Sequence, residues 1–154
     1  ATLPFAIAKR EVVHAGTMLG WSEECWHPRK VNETPGPGNI VAIHLDYEAV
    51  NEVFAAFGRQ GVSAEAVARE AAREAQTYLA GNHPVGLYLA DQLLLPLALG
   101  AGGRIMTGPL TDHTKTNIHV IRQLLDISIS VENQPDGSVI LDVVSRNKSG
   151  LLDG

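Results

Sequence analysis

The chain is poor in cysteine and in positive charge. It has one cysteine, Cys25, among 154 residues. A single thiol can form neither an intrachain disulfide nor a cysteine-built zinc site, so we expect a protein of the reducing cytoplasm. Lys and Arg number 12 against 17 Asp and Glu, which gives a net charge of −5. That balance argues against a constitutive nucleic-acid binder with a basic face, but an enzyme can hold nucleic acid through a few local charges.

Long hydrophobic segments are also absent. The most apolar stretch, 85–101, is interrupted by Asp91, Gln92 and Pro96, and it is shorter than the roughly 20 residues that a membrane span requires. Residues 1–10 lack the charged and then apolar pattern of a signal peptide. We therefore expect no membrane association. The composition, 45% hydrophobic and 19% charged, is that of a globular protein and excludes intrinsic disorder.

Hydrophobic periodicity and turn residues predict an α/β (α+β) fold. The boundary at Gly81-Asn82-His83-Pro84 divides the chain into domains at 1–83 and 84–154, and the order of elements is α-β-β-β-α followed by α-β-α-β-β. The segment 87–99 is apolar nearly all round, which is typical of a helix buried inside a larger body. The predicted helices are 4–18, 63–79, 87–99 and 115–125, and the predicted strands are 21–26, 40–45, 53–57, 104–107, 127–132 and 138–143.

The segment 111–118, Thr-Asp-His-Thr-Lys-Thr-Asn-Ile, is the first candidate functional site. It lies between a strand end and a helix start, with Thr114 or Thr116 available as the helix cap, and free N–H groups at such a start attract anions. One ring nitrogen of His113 could be oriented by a neighbour, which leaves the other as nucleophile, base or ligand. A surface histidine in a capped turn is the alternative. His119 lies six positions on, roughly 240° around the helix, so the pair forms no metal face.

A polar pair inside the apolar helix is the second candidate. A buried carboxylate at Asp91 is costly without a partner, so Asp91 and Gln92 must face a cleft or another polar group. Tyr88 precedes them by three and four positions and shares their face. A flat ring beside hydrogen-bonding groups suits a nucleobase or a sugar, whereas a paired core carboxylate is the structural alternative.

Three weaker patterns favour structural roles. Cys25 and His27 lack further ligands at metal-binding spacing. The glycines at 100–103 follow a helix and precede a strand, the reverse of a dinucleotide-binding motif, so they predict a turn. Residues 34–38 lack a phosphate-loop lysine and predict a rigid loop, and residues 145–154 predict a frayed tail.

Taken together, these motifs resemble RNA 3′-terminal phosphate cyclase, and the resemblance runs from about residue 3 to residue 143. The spacing from Gln92 to His113, 113 − 92 = 21, agrees with that family. Two further segments resemble the domain that is inserted in the family. The matching segments are Tyr88-Leu-Ala-Asp91-Gln92-Leu-Leu-Leu-Pro96-Leu-Ala-Leu, Gly100–Gly103, His113-x-x-Thr116-Asn117-Ile118, Gly36-Pro-Gly-Asn39 and Val62-Ser-Ala-Glu65.

The resemblance implies a specific reaction. The family's histidine, here His113, attacks the α-phosphorus of ATP and forms a histidine-linked AMP. The adenylate passes to an RNA 3′-phosphate, and the neighbouring 2′-hydroxyl attacks to give a 2′,3′-cyclic phosphate, assisted by a divalent metal, Mg or Mn. The ATP site is expected at Tyr88, Leu89, Ala90, Asp91 and Gln92, with Tyr88 stacking on adenine; no residue of this chain is assigned to the metal.

Family members are longer than this chain. We therefore expect 1–83 to be the small inserted domain, with a thioredoxin-like arrangement, and 84–154 to be the C-terminal part of the catalytic large domain. The N-terminal portion of that large domain, which carries phosphate-binding residues, would be the missing partner, and the chain alone would be inactive. Two alternatives remain: a non-catalytic cyclase-like protein of ribosomal RNA processing, which lacks the histidine, and a small α/β interaction module.

Overall fold

The computed structural model describes residues 3–33 and 36–145. The chain divides into two compact units, one ending at Ala80 and the other beginning at Gly81. Both combine helices with an antiparallel sheet, so the predicted α+β class is confirmed. Residues 34 and 35 of the predicted rigid loop, and the predicted tail after residue 145, lie outside the described residues. The described part contains no helix that is both long and apolar enough to cross a membrane.

The first unit packs two helices against one face of a two-stranded sheet. The alternation in β1 buries Val41, Ile43 and Leu45 against the helices. α2 presents a row of fully buried alanines, which let the helix approach the sheet closely. The elements are α1 (Phe5–Leu19), β1 (Ile40–Asp46), β2 (Asn51–Phe57) and α2 (Ala64–Ala80), with β1 and β2 antiparallel.

Local chemistry sets the helix ends of this unit where the sequence predicts them. Gly20 ends α1 in a left-handed conformation, φ 68°, which glycine adopts without strain. The hydroxyl oxygen of Ser63 accepts a hydrogen bond from the N–H of Ala66 at 3.2 Å, as an N-cap does. The order of this unit is α-β-β-α, one strand fewer than the predicted α-β-β-β-α. The thioredoxin-like arrangement stays a prediction.

The predicted strand at 21–26 is wrong. Residues Glu23–Cys25 form a single 3₁₀ turn, in which the N–H of Cys25 donates to the carbonyl of Ser22 and that of Trp26 to Glu23, each at 3.0 Å. The indole of Trp26 lies against Gly16 of α1, so closely that no side chain fits there. The segment therefore turns where a strand is predicted, and the indole of Trp26 packs on α1.

The second unit packs two helices on a three-stranded antiparallel sheet in the order β3-β5-β4. The central β5 contributes fully buried residues, Leu141 and Val143, which meet Leu94 of α3 and Ile118 of α4. All five predicted elements are confirmed within a few residues of their expected ends. They are α3 (Leu87–Leu99), β3 (Gly103–Thr107), α4 (Asp112–Leu124), β4 (Ile127–Asn133) and β5 (Val139–Ser145).

α3 is buried on one side only among the described residues. Ala90, Leu94 and Ala98, spaced four apart, face the core. On the other side Tyr88 and Leu99 are 64% and 68% exposed. The expectation of burial all round is therefore not met within this unit, because the sheet and α4 cover a single face.

A polar turn closes the β4–β5 hairpin, as the Asp-Gly pair predicts. One carboxylate oxygen of Asp136 accepts hydrogen bonds from the N–H of Ser138 at 3.0 Å and from its hydroxyl at 2.6 Å. These bonds stabilise the charged form and lower the pKa of Asp136. Gly137 supplies the positive φ of 86° that the turn requires.

A buried carboxyl group in α1 makes the stability of the first unit depend on pH. Glu11 is only 2% exposed, and the side-chain amide of Asn39 donates a hydrogen bond to it. Burial raises the pKa of Glu11 above 4.5, the bond from Asn39 lowers it, and the charge of Glu65 raises it further, with a net upward shift. The protonated form is thus favoured in the folded state.

We expect the free energy of unfolding to fall as the pH rises from 4.5 through the raised pKa of Glu11, because a carboxyl that binds its proton more tightly when folded stabilises the fold at low pH. Glu11→Gln keeps an acceptor for Asn39 and removes this titration, so it should flatten that part of the pH profile. Urea unfolding followed by circular dichroism between pH 4.5 and 8 measures the effect, with Glu48→Gln on an exposed turn as the control. Equal slopes for Glu11→Gln and the unchanged chain would contradict the assignment.

Candidate active site

The start of α4 places His113 at the surface. Thr111, with an extended backbone, caps the helix: its hydroxyl oxygen accepts from the N–H of Thr114 at 3.1 Å, and the two hydroxyls are 2.8 Å apart. The predicted caps, Thr114 and Thr116, are therefore wrong, because Thr111 is the last residue with non-helical geometry. Consequently His113 belongs to the first helical turn, and its side chain is 82% exposed.

Asp91 of α3 holds one nitrogen of this imidazole. The Nδ1 atom of His113 lies 2.8 Å from the Oδ2 atom of Asp91, whose side chain is only 18% exposed. Asn117, one turn after His113, donates from Nδ2 to the Oδ1 atom of Asp91 at 3.1 Å and to its backbone carbonyl at 3.3 Å. The carboxylate thus receives one donor on each oxygen, and both donors come from α4.

This arrangement selects a tautomer. A neutral imidazole that donates from Nδ1 to a carboxylate carries its lone pair on Nε2. The exposed ring therefore offers Nε2 as a nucleophile or a base, while Asp91 fixes the orientation of the ring and stabilises positive charge on it. Asn117 in turn holds the carboxylate, so Asn117 positions Asp91 and Asp91 positions His113.

The other predicted site residues do not belong to this group of three side chains. Tyr88 and Gln92 are exposed on α3, Leu89 is partly buried, and Ala90 is 1% exposed in the core. Their proposed contacts with ATP stay predictions. The sequence suggested His113 and Asp91 separately and did not predict that they pair. Nor did it predict the role of Asn117, although the spacing of four between His113 and Asn117 is the signal that could have indicated it.

The described residues do not fit a divalent metal by themselves. Within 3–33 and 36–145, no group of three or more His, Cys, Asp or Glu side chains could hold a metal ion. Both carboxylate oxygens of Asp91 already face donors. A metal that assists this site would therefore be held largely by waters and substrate phosphates, or by ligands outside the described residues.

Comparison with known proteins decides the family. Residues 1–80 match a family model described as RNA 3′-terminal phosphate cyclase (RTC), insert domain. The match covers half of the chain and ends where the first unit ends. The chain belongs to the RNA 3′-terminal phosphate cyclase family.

Individual relatives agree over both units. A protein named RNA 3′-terminal phosphate cyclase from Koribacter versatilis is 38% identical over 98% of this chain and 42% of its own length. Proteins of the same name from Ectopseudomonas mendocina and Salmonella typhimurium are 38% and 37% identical over 84% and 91% of this chain. The chain spans about 40% of the length of the curated relatives that it matches. This cyclase-family chain therefore corresponds to a portion of those proteins.

Removal of the Asp91 carboxylate should change the tautomer of His113. In Asp91→Ala the Nδ1–H loses its acceptor, so we expect the neutral ring to shift toward the Nε2–H form, visible as an exchange of the two ring ¹⁵N chemical shifts in long-range ¹H–¹⁵N spectra. Asp112→Ala removes a neighbouring carboxylate that is 99% exposed and does not face the ring, and serves as the control. A ring spectrum in Asp91→Ala that matches the control would contradict the pairing.

Proposed function

We propose that this chain is a C-terminal portion of an ATP-dependent RNA 3′-terminal phosphate cyclase, a ligase-type enzyme in which His113 is the nucleophile. The observation that supports it is the contact of 2.8 Å between Nδ1 of His113 and the carboxylate of Asp91. A histidine that is held at one nitrogen and open to solvent at the other has the organisation of an activated nucleophile. Membership of the cyclase family supplies the reaction class.

In the first step, the lone pair on Nε2 of His113 attacks the α-phosphorus of ATP. A nitrogen–phosphorus bond forms, the bond from the α-phosphorus to the bridging oxygen breaks, and pyrophosphate leaves. The ring becomes positively charged during the attack, and the Asp91 carboxylate at Nδ1 stabilises that charge. The product is AMP linked to His113.

In the second and third steps, the adenylate moves to an RNA 3′-phosphate and is then displaced. An oxygen of the 3′-phosphate attacks the AMP phosphorus and releases the nitrogen of His113. The 2′-hydroxyl of the same ribose then attacks the activated 3′-phosphate, loses its proton, and expels AMP. A 2′,3′-cyclic phosphate remains on the RNA.

The ATP contacts that we propose lie on the open side of α3. Tyr88, 64% exposed, presents a ring on which adenine could stack, and Gln92 one turn later offers an amide to the base or the ribose. Asp91 and the neighbouring Leu89 and Ala90 position this segment. A divalent metal, Mg or Mn, would neutralise phosphate charge, with ligands supplied by the phosphates and by residues outside the described part of the chain.

The chain alone should be unable to label itself. Phosphoryl transfer depends mainly on positioning and on positive charge around the phosphates. A nucleophile without groups that bind the phosphates should therefore react very slowly. We expect no detectable AMP on the 154-residue chain after incubation with α-labelled ATP and Mg²⁺ or Mn²⁺. Labelling that survives denaturation and disappears in His113→Ala would contradict the need for the missing portion while supporting the nucleophile.

A chimera provides the direct test of His113. We replace the matching portion of the Koribacter versatilis cyclase with the 151 aligned residues of this chain and measure label from ATP. His113→Ala should reduce labelling by more than about 100-fold, since it removes the proposed acceptor of AMP. His119→Ala, an exposed histidine on the same helix, should leave it unchanged. Retained labelling in His113→Ala would refute the proposal.

A further inference from the structure

A groove in the second unit has no role in the steps above. It is an open space of about 470 Å³ between one side of α4 and the tip of the β4–β5 hairpin. We call it the α4 groove and define it by Lys115, Ile118 and Arg122 of α4 with Val131 and Asn133 of β4. Its volume lies within the ~300–1,000 Å³ that small-molecule sites occupy.

The α4 groove is a local concentration of positive charge in an acidic chain. Lys115, Ile118 and Arg122 are spaced by three and four, so they share one side of α4. Among the described residues, no Asp or Glu lines the groove, although the chain as a whole carries −5. Lys115 pairs with Asp112 at 3.0 Å, but that carboxylate is 99% exposed and such a pair contributes little.

Arg122 is held in place for binding. One of its N–H groups donates to the backbone carbonyl of Ile129 at the neighbouring strand, which fixes the guanidinium beside the groove. A guanidinium carries five N–H donors in a planar fork that matches a phosphate. The anchored side chain therefore retains donors for an anion at little further entropic cost.

The remaining wall suits the non-charged part of a nucleotide. Leu110, Val131 and Val139 give an aliphatic surface, and Asn133 adds an amide with both donors and an acceptor. Apolar surface can pack against a base or a ribose, while the amide can hydrogen-bond to a base edge. Two cations, an amide and an aliphatic wall in one groove match a single nucleotide with its phosphate.

We infer that the α4 groove binds one nucleotide of the substrate RNA upstream of its 3′ end, with Arg122 and Lys115 at the phosphate and the aliphatic wall at the base or ribose. This inference rests on the proposed function, which supplies an RNA strand. His113 and Lys115 are two residues apart in one turn of α4, so a strand that passes the helix start reaches both sides of that turn. An acidic peptide would use the same cations, so it is titrated beside the RNA as the competing ligand.

The test is a titration of the ¹⁵N-labelled chain with a short oligoribonucleotide that ends in a 3′-phosphate, monitored by amide chemical shifts and by fluorescence anisotropy. We expect shifts in the groove residues and a dissociation constant that weakens with salt. Arg122→Gln should weaken binding about tenfold and lower the salt slope by about one. Arg104→Gln, an exposed arginine of β3 outside the groove, is the matched control and should bind as the unchanged chain does.

Arg122→Gln also removes the hydrogen bond to Ile129, so a second pair of variants tests the groove with that bond intact. Val131→Trp fills the groove at a position that is 40% exposed, and Val144→Trp adds the same ring at a position that is 52% exposed and outside the groove. With both variants folded by circular dichroism, only Val131→Trp should weaken RNA binding.

Three results would overturn the inference: no binding of RNA to the unchanged chain, equal binding by all variants, or groove shifts caused only by an acidic peptide. His119→Ala, at an exposed position of α4 outside the groove, should leave this binding intact. AMP labelling of the chimera judges the nucleophile independently. Loss of labelling in His113→Ala together with unchanged RNA binding in Arg122→Gln would refute RNA binding in the groove and support the proposed reaction.

Discussion

The second unit is organised around one largely buried carboxylate. Asp91 lies within an apolar helix, and a carboxylate that is 18% exposed needs donors to offset its lost hydration. Both donors, His113 and Asn117, come from α4 and are one turn apart. These charge-assisted bonds fix the rotation of α4 relative to α3. The same rotation places Ile118 and Ile121 in the core with Leu94, so the polar contact and the apolar packing require the same arrangement.

The sequence predicts the elements well where one local signal dominates. The bounds of α3 agree with the expected 87–99 because a predominantly apolar segment ends at Gly100. The prediction fails at 21–26, where a 3₁₀ turn replaces the predicted strand and Trp26 packs on Gly16, a tertiary contact that no local signal indicates. α4 begins three residues earlier than expected, since several threonines could cap it and only the backbone selects Thr111.

The site is predictable in its residue types but not in its geometry. His113 and Asp91 each attract attention as a polar group in an unusual place. Their contact, however, spans β3 and two turns, and it depends on how the two helices cross above the sheet. Helical spacing cannot predict a contact between two helices, but it does predict that His113 and Asn117, four positions apart, lie on the same side of α4. The motifs of the resemblance include His113, Asp91 and Asn117, but they do not indicate that the three side chains contact one another.

In the proposed reaction, the groups that orient the nucleophile and the cations that hold the phosphates have separate tasks and need not lie in the same segment of the protein. Orientation of an imidazole needs close contacts, and α3 and α4 provide them within one unit through Asp91 and Asn117. Stabilisation of phosphate charge needs cations around the ligand, and the described side of α3 near His113 offers an aromatic ring and an amide instead. Because electrostatic stabilisation contributes most of the acceleration in phosphoryl transfer, the part that orients the nucleophile is the smaller energetic share. In the proposed reaction, the contacts of His113 with Asp91 and of Asp91 with Asn117 would therefore orient the attack, whereas the rate of attack would depend mainly on cations around the phosphates.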